Sequence, residues 1–107
     1  LVVVLDTGIM ESVDILQGLK PDGTVLLNSG RSLSLKGYRT LHVDLTEIAI
    51  GQNLVIAGSP VLNTPLLGAL AKLDVIPLDA AIAAIRDLFS DEHNVKAAEI
   101  AYQELEV

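Results

Sequence analysis

The stretch VVVLDTGI, residues 2–9, is the first in the chain whose residue types and spacing carry chemistry. Two apolar residues followed by Asp-Thr-Gly is how an aspartic protease presents a catalytic carboxylate. A chain of 107 residues has the length of one half of a retroviral-type homodimer. The competing reading makes Leu1 to Leu5 a buried strand of an α/β domain, with Asp6-Thr7-Gly8 as the turn at its carboxyl end. An apolar strand ending in Asp also fits the magnesium-contacting motif of nucleotide triphosphatases. However, the chain has no G-x-x-x-x-G-K-[ST] loop, and one carboxylate cannot replace a cradle of backbone N–H groups. Gly8 and Gly30 do not form the G-x-G-x-x-G of a dinucleotide site.

Other chemistry-bearing residues are sparse. There is no cysteine, which excludes disulfides, thiol catalysis and any iron–sulfur cluster ligated by this stretch. His42 alternates with Leu41 and Val43 and reads as half-buried structure, while His93 follows Asp91-Glu92 and reads as a solvent-facing residue in a first helical turn. Neither has a metal-binding spacing such as H-x-x-x-H. Arg31, Lys36 and Arg39 surround one loop that could hold a single anionic ligand, although a solvated loop is the plainer reading. In Asn63-Thr64-Pro65-Leu66-Leu67-Gly68, two polar side chains stand at an expected helix start, where free N–H groups favour anions, and Gly68 allows another backbone to come close. That segment is either a ligand or subunit contact, or an ordinary capped helix with a tight packing point.

The elements that must position these residues follow from hydrophobic periodicity. Leu1–Leu5 is continuously apolar, as in a central strand of a parallel sheet covered on both faces. Ile9, Val13, Leu16 and Leu19 recur at helical spacing, and Gly18 with Pro21-Asp22-Gly23 ends that helix. Thr24–Leu27 is a second buried strand, completing a βαβ unit. Residues 28–38 form a loop, and Thr40–Val43 a third short strand. Asp44 and Glu47 have the spacing of a capping box for a short helix that Gly51 ends. Leu54–Ala57 is another extended run. Thr64-Pro65 starts a helix to about Leu73, with Thr64 as cap. Pro77-Leu78-Asp79 opens another, with Leu78, Ile82, Ile85 and Phe89 on one face, and a last helix aligns Val95, Ala98, Tyr102 and Leu105. The expected fold is therefore α/β in three layers: a mostly parallel sheet flanked by helices, with a helix-rich carboxyl-terminal half.

These elements decide against the protease. A retroviral-type protease is nearly all β and needs a glycine-rich flap. Here only Val55-Ile56-Ala57-Gly58 mimics its later apolar-apolar-Gly element. The charge balance narrows partners further. With 14 acidic against 7 basic residues the formal charge is −7, which repels polyanions and argues against nucleic acid. No apolar run approaches the ~20 residues of a membrane span, and no basic leader precedes one, so a cytoplasmic location is expected. The chain starts inside an apolar run without Met, so a preceding segment is expected to be missing.

Several segments together resemble the gamma subunit, or gamma domain, of the 2-oxoacid:ferredoxin oxidoreductases. They are VVVLDTGIMESVDILQGLKPDGTVLLNS, HVDLTEIAI, VLNTPLLGALAKLDVIPLDAAIAAIRDLF and NVKAAEIAYQ, in the order that family shows and across nearly the whole chain. The resemblance implies that residues 1–107 are the carboxyl-terminal portion of a single α/β gamma-type domain. It implies a component of an enzyme that decarboxylates a 2-oxoacid on thiamine diphosphate and Mg2+. Such an enzyme passes electrons through iron–sulfur clusters to ferredoxin and releases the acyl group to coenzyme A. These cofactors are held mainly by other subunits, and none is expected to be bound by this chain alone, which lacks a Gly-Asp-Gly…Asn diphosphate pattern. The family's amino-terminal Gly-x-Gly-Gly-Gln-Gly turn has no match here. No catalytic residue is carried over, and Asn28, Ser29, Asn63, Thr64 and Gly68 stand as candidate contact positions. The alternative reading is a non-catalytic α/β ligand-binding or interaction module.

Overall fold

The computed structural model describes residues 1–6, 23–32, 34–35 and 37–107. The expected helix over residues 9–19, Thr7, Gly8 and Lys36 lie outside the described residues. The chain divides into two compact units, Leu1–Val43 and Asp44–Val107.

The first unit contains a three-stranded sheet. β1 (Val2–Val4) pairs with β2 (Thr24–Asn28), and β2 with β3 (Arg39–Val43), every pairing being parallel. The register sets Val2 beside Val25 and Val4 beside Leu27. Side chains two apart share a face, so Val4, Val25 and Leu27 form one apolar cluster, against which Val2, Leu35 and Tyr38 pack. Leu26, on the opposite face, is equally buried, so both faces of β2 are covered. Three consecutive β-branched or leucine side chains withdrawn from water at about 1.5–3 kcal/mol each hold this strand in place.

The parallel pairing removes the protease reading, which needs antiparallel hairpins; Asp6 lies exposed just past β1. One expectation is corrected. Among the described strands the order is β1-β2-β3, so β2 is interior and β1 marginal. The flanking residues Leu1 and Leu5 are 53% and 43% exposed. A continuous apolar run shows that a strand is mostly covered but does not rank its position within the sheet.

The second unit is helical apart from a two-stranded hairpin. α1 (Leu45–Gly51) starts where Asp44 accepts the N–H of Glu47 at 2.9 Å, one arm of the expected capping box. The extended run at Leu54 becomes β4 (Val55–Ile56), which pairs antiparallel with β5 (Ser59–Pro60) through a tight turn at Ala57-Gly58. Three helices follow, α2 (Asn63–Lys72), α3 (Leu78–Leu88) and α4 (His93–Glu104). Ile85, Val95 and Ala98 form their shared core, with Leu67, Ile82 and Phe89 packed on it. The α3 stripe is as expected, and Ala81 at 3% exposure adds to it.

Candidate functional site

The sequence singles out two places. The first is the carboxyl end of the parallel strands, where ligands of open α/β sheets generally bind. The Asn28 amide donates to the Leu5 carbonyl at 3.0 Å, tying the ends of β1 and β2 together. The Ser29 hydroxyl accepts the N–H of Arg31 and donates to the Arg31 carbonyl, both at 3.0 Å, while the Ser29 N–H donates to the Val43 carbonyl at 3.1 Å. Ser29 is thus a loop former, and the loop it holds presents Arg31 to solvent. Arg39 is also exposed, at the start of β3 and so toward the opposite end of that strand.

The second place is the start of α2, which differs from expectation. The helix begins at Asn63, with Leu62 at the cap position, and Thr64 is already helical. Thr64 does not cap because its hydroxyl is buried and donates to Asn94 Oδ1 at 3.3 Å; Asn63 Oδ1 instead accepts the N–H of Thr64 at 2.9 Å. The Asn94 amide in turn donates to the Asp91 carbonyl at 3.1 Å. Pro65 fits in this first turn because its missing N–H would have had no helical partner.

Gly68 lies one turn further along. A Cβ there would stand 1.8 Å from the carbonyl oxygen of Ala98, so the backbones of α2 and α4 touch at this point. One more turn on, the Lys72 ammonium sits 4.9 Å from the centre of the Tyr102 ring. All three contacts pair a residue of α2 with the residue 30 positions later in α4. The two helices therefore run parallel and in register, and the close approach for which Gly68 was noted takes place within this chain. Thr64 and Gly68 are both buried at this junction, while Asn63 is exposed.

A third cluster was not singled out as a site by the sequence. Between α3 and α4, an open depression of about 350 Å³ is bordered by Arg86, His93, Lys96 and Glu99. Arg86 holds Glu92 at 3.1 Å, and the His93 ring nitrogen meets Asp91 at 2.7 Å. The backbone N–H of His93 holds the Asp91 carboxyl below its ordinary range; partial desolvation opposes this, and the ring's hydrogen bond and charge add to the lowering. The pairs Arg86–Glu92 and His93–Asp91 are solvent-exposed, where such contacts contribute little. His42 is half-buried in β3, as expected. Among the described residues no three potential ligands gather to hold a metal ion. No described helix is long and apolar enough to cross a membrane.

The chain is similar to proteins of one kind along nearly its whole length. The pyruvate synthase subunit PorC of Methanocaldococcus jannaschii is 37% identical over 108 residues, covering 97% of this chain and 58% of that protein. The pyruvate/ketoisovalerate oxidoreductases common subunit gamma of Pyrococcus furiosus is 38% identical over 117 residues, covering 99% of this chain and 61% of that protein. The crystal structure of the pyruvate oxidoreductase subunit PORC from Thermotoga maritima superposes with a TM-score of 0.79 at 29% identity, over 97% of this chain and 62% of the other. The chain thus spans about three-fifths of the length of the relatives it matches. The family model described as pyruvate ferredoxin/flavodoxin oxidoreductase matches residues 1–104, and with the shared α/β fold this makes the chain a member of that family.

Proposed function

We propose that residues 1–107 are the carboxyl-terminal portion of a gamma-type domain in a cytoplasmic 2-oxoacid:ferredoxin oxidoreductase. The observation that carries this reading is the family match along residues 1–104. The assembled enzyme would decarboxylate a 2-oxoacid oxidatively, deliver electrons to ferredoxin and form an acyl-CoA. Thiamine diphosphate, Mg2+ and the iron–sulfur clusters would belong to the other subunits, in keeping with a cysteine-free sequence that offers no thiolate.

This portion then supplies assembly surface and one wall of the coenzyme A or active-site cleft. The described element best suited to that wall is the loop after β2. Asn28 and Ser29 fix its shape, and Arg31 is an exposed guanidinium at a carboxyl strand end, a suitable partner for one phosphate. A single such contact is compatible with a chain of net charge −7, whereas broad docking of a polyanion is not.

The reading is tested by tagging the full-length protein in its source and isolating what travels with it. A thiamine-diphosphate-binding subunit and a cysteine-rich iron–sulfur subunit should co-purify in fixed ratio, with 2-oxoacid- and CoA-dependent reduction of a redox dye. A protein that elutes alone, without dye reduction, would overturn it in favour of a binding module.

A further inference from the structure

In the second unit, α2 and α4 are joined to each other more firmly than either is to α3. Their backbones touch at Gly68 and Ala98, and Thr64 bonds to Asn94 in the buried seam. Five residues of α2 and five of α4 are buried, whereas of the 11 residues of α3 only Ala81 and Ile85 are. The outer face of α3 carries Asp79, Arg86 and Asp87, all exposed, as on a solvated surface.

The helix ends follow the same division. After α2, Asp74 takes a left-handed φ of 60°, and the N–H groups of Asp74 and Val75 donate to the carbonyls of Ala71 and Leu70 at 3.1 and 3.0 Å. This turn satisfies carbonyls at the end of α2 without help from α3. At the start of α4, the Asp91 carboxyl accepts the N–H of His93 at 2.9 Å, and the Asp91 carbonyl accepts that of Asn94 at 3.1 Å. By contrast α3 begins at Pro77 without a side-chain cap and ends at Phe89, which is extended. Its described polar tie to the start of α4 is Arg86 with Glu92 at 3.1 Å, between side chains 58% and 65% exposed, a contact that contributes little in water. Detaching α3 therefore leaves the caps of α2 and α4 intact.

We infer that α3 is a strap that swings open as a unit, hinged at Asp74 and Ser90, while α2 and α4 stay paired. What holds it closed is apolar. Ile82, Ile85 and Phe89 share one cluster with Leu67, Val95 and Ala98, and opening uncovers that floor. Local openings lie lowest in free energy where an element buries few apolar groups and its polar ties are exposed, and both conditions are met by α3 and by neither of its neighbours. The strap depends on contacts within this chain and not on the oxidoreductase reading.

Amide hydrogen exchange of the full-length protein, followed by mass spectrometry, tests this. After correction for intrinsic rates, the interior amides of α3, residues 82–88, should exchange about tenfold or more faster than residues 67–72 of α2 and 97–104 of α4. Thr64→Val supplies the second arm. It removes the buried hydrogen bond to Asn94, a contact made whether the strap is open or closed. It should therefore speed exchange in α2 and α4 about tenfold and leave α3 at its wild-type rate. Equal protection of the three helices, or slowest exchange in α3, would overturn the inference, as would an acceleration of α3 equal to that of α2 and α4 in Thr64→Val. The wild-type rates decide alone if Thr64→Val fails to fold or changes nothing.

Discussion

Gly68 shows how much of the helical unit depends on one missing methyl group. Its Cβ position lies 1.8 Å from the Ala98 carbonyl, a backbone atom that cannot rotate away, so Gly68→Ala must push α2 and α4 apart along the seam from Thr64 to Lys72. Overpacking of this kind costs about 3 kcal/mol or more. Gly51 is the internal comparison. Nothing lies within 4 Å of a Cβ there, and the residue ends α1, so Gly51→Ala should be neutral or gain up to about 1 kcal/mol. Urea midpoints of the two full-length variants check both values. Arg31 invites a different measurement, because its substitution should leave stability untouched. If its guanidinium meets a phosphate of coenzyme A, Arg31→Ala should raise KM for CoA about tenfold, the loss of one charge-assisted hydrogen bond, with KM for the 2-oxoacid unchanged. Steady-state kinetics of the assembled enzyme separate these outcomes.

At the scale of elements, α4 begins on a charge-dependent contact. Asp91 accepts the backbone N–H of His93 at 2.9 Å and meets its ring at 2.7 Å. Because this carboxyl is held below its ordinary value of 3.8, its contribution to the folded state is present above that value and is lost as pH falls through the lower, folded-state value. Asp91→Asn should therefore melt below wild type at pH 7, with the difference closing in acid below about pH 4. Melting curves over that range check the sign. The elements themselves were largely legible, because periodicity reports burial: the β2 triplet, the α3 stripe and the Asp44 cap all stand where spacing put them. The Ala57-Gly58 hairpin was not, since a two-residue ladder leaves no alternation to read. Nor was Thr64's partner, because a hydroxyl at a helix start looks like a cap until Asn94, 30 residues away, is seen beside it. Gly68 was legible as a site of close approach, but its partner was not, since a glycine shows that a backbone comes near without showing which one.

For the whole molecule, a place in an assembled oxidoreductase predicts that stability depends on assembly. A partner that binds only the folded state stabilises it by RT ln(1 + [L]/Kd), about 2.7 kcal/mol when the partner is at 100 times its Kd. For a small domain this raises Tm by several degrees, more than the effect of most surface substitutions. The full-length protein titrated with its purified partner subunit should therefore show a Tm that climbs with the partner's concentration. A Tm unmoved by partner would mean that no association of this strength exists, as expected of a free-standing module. Differential scanning fluorimetry across the titration distinguishes the two cases, because only binding to the folded state makes Tm depend on the partner's concentration.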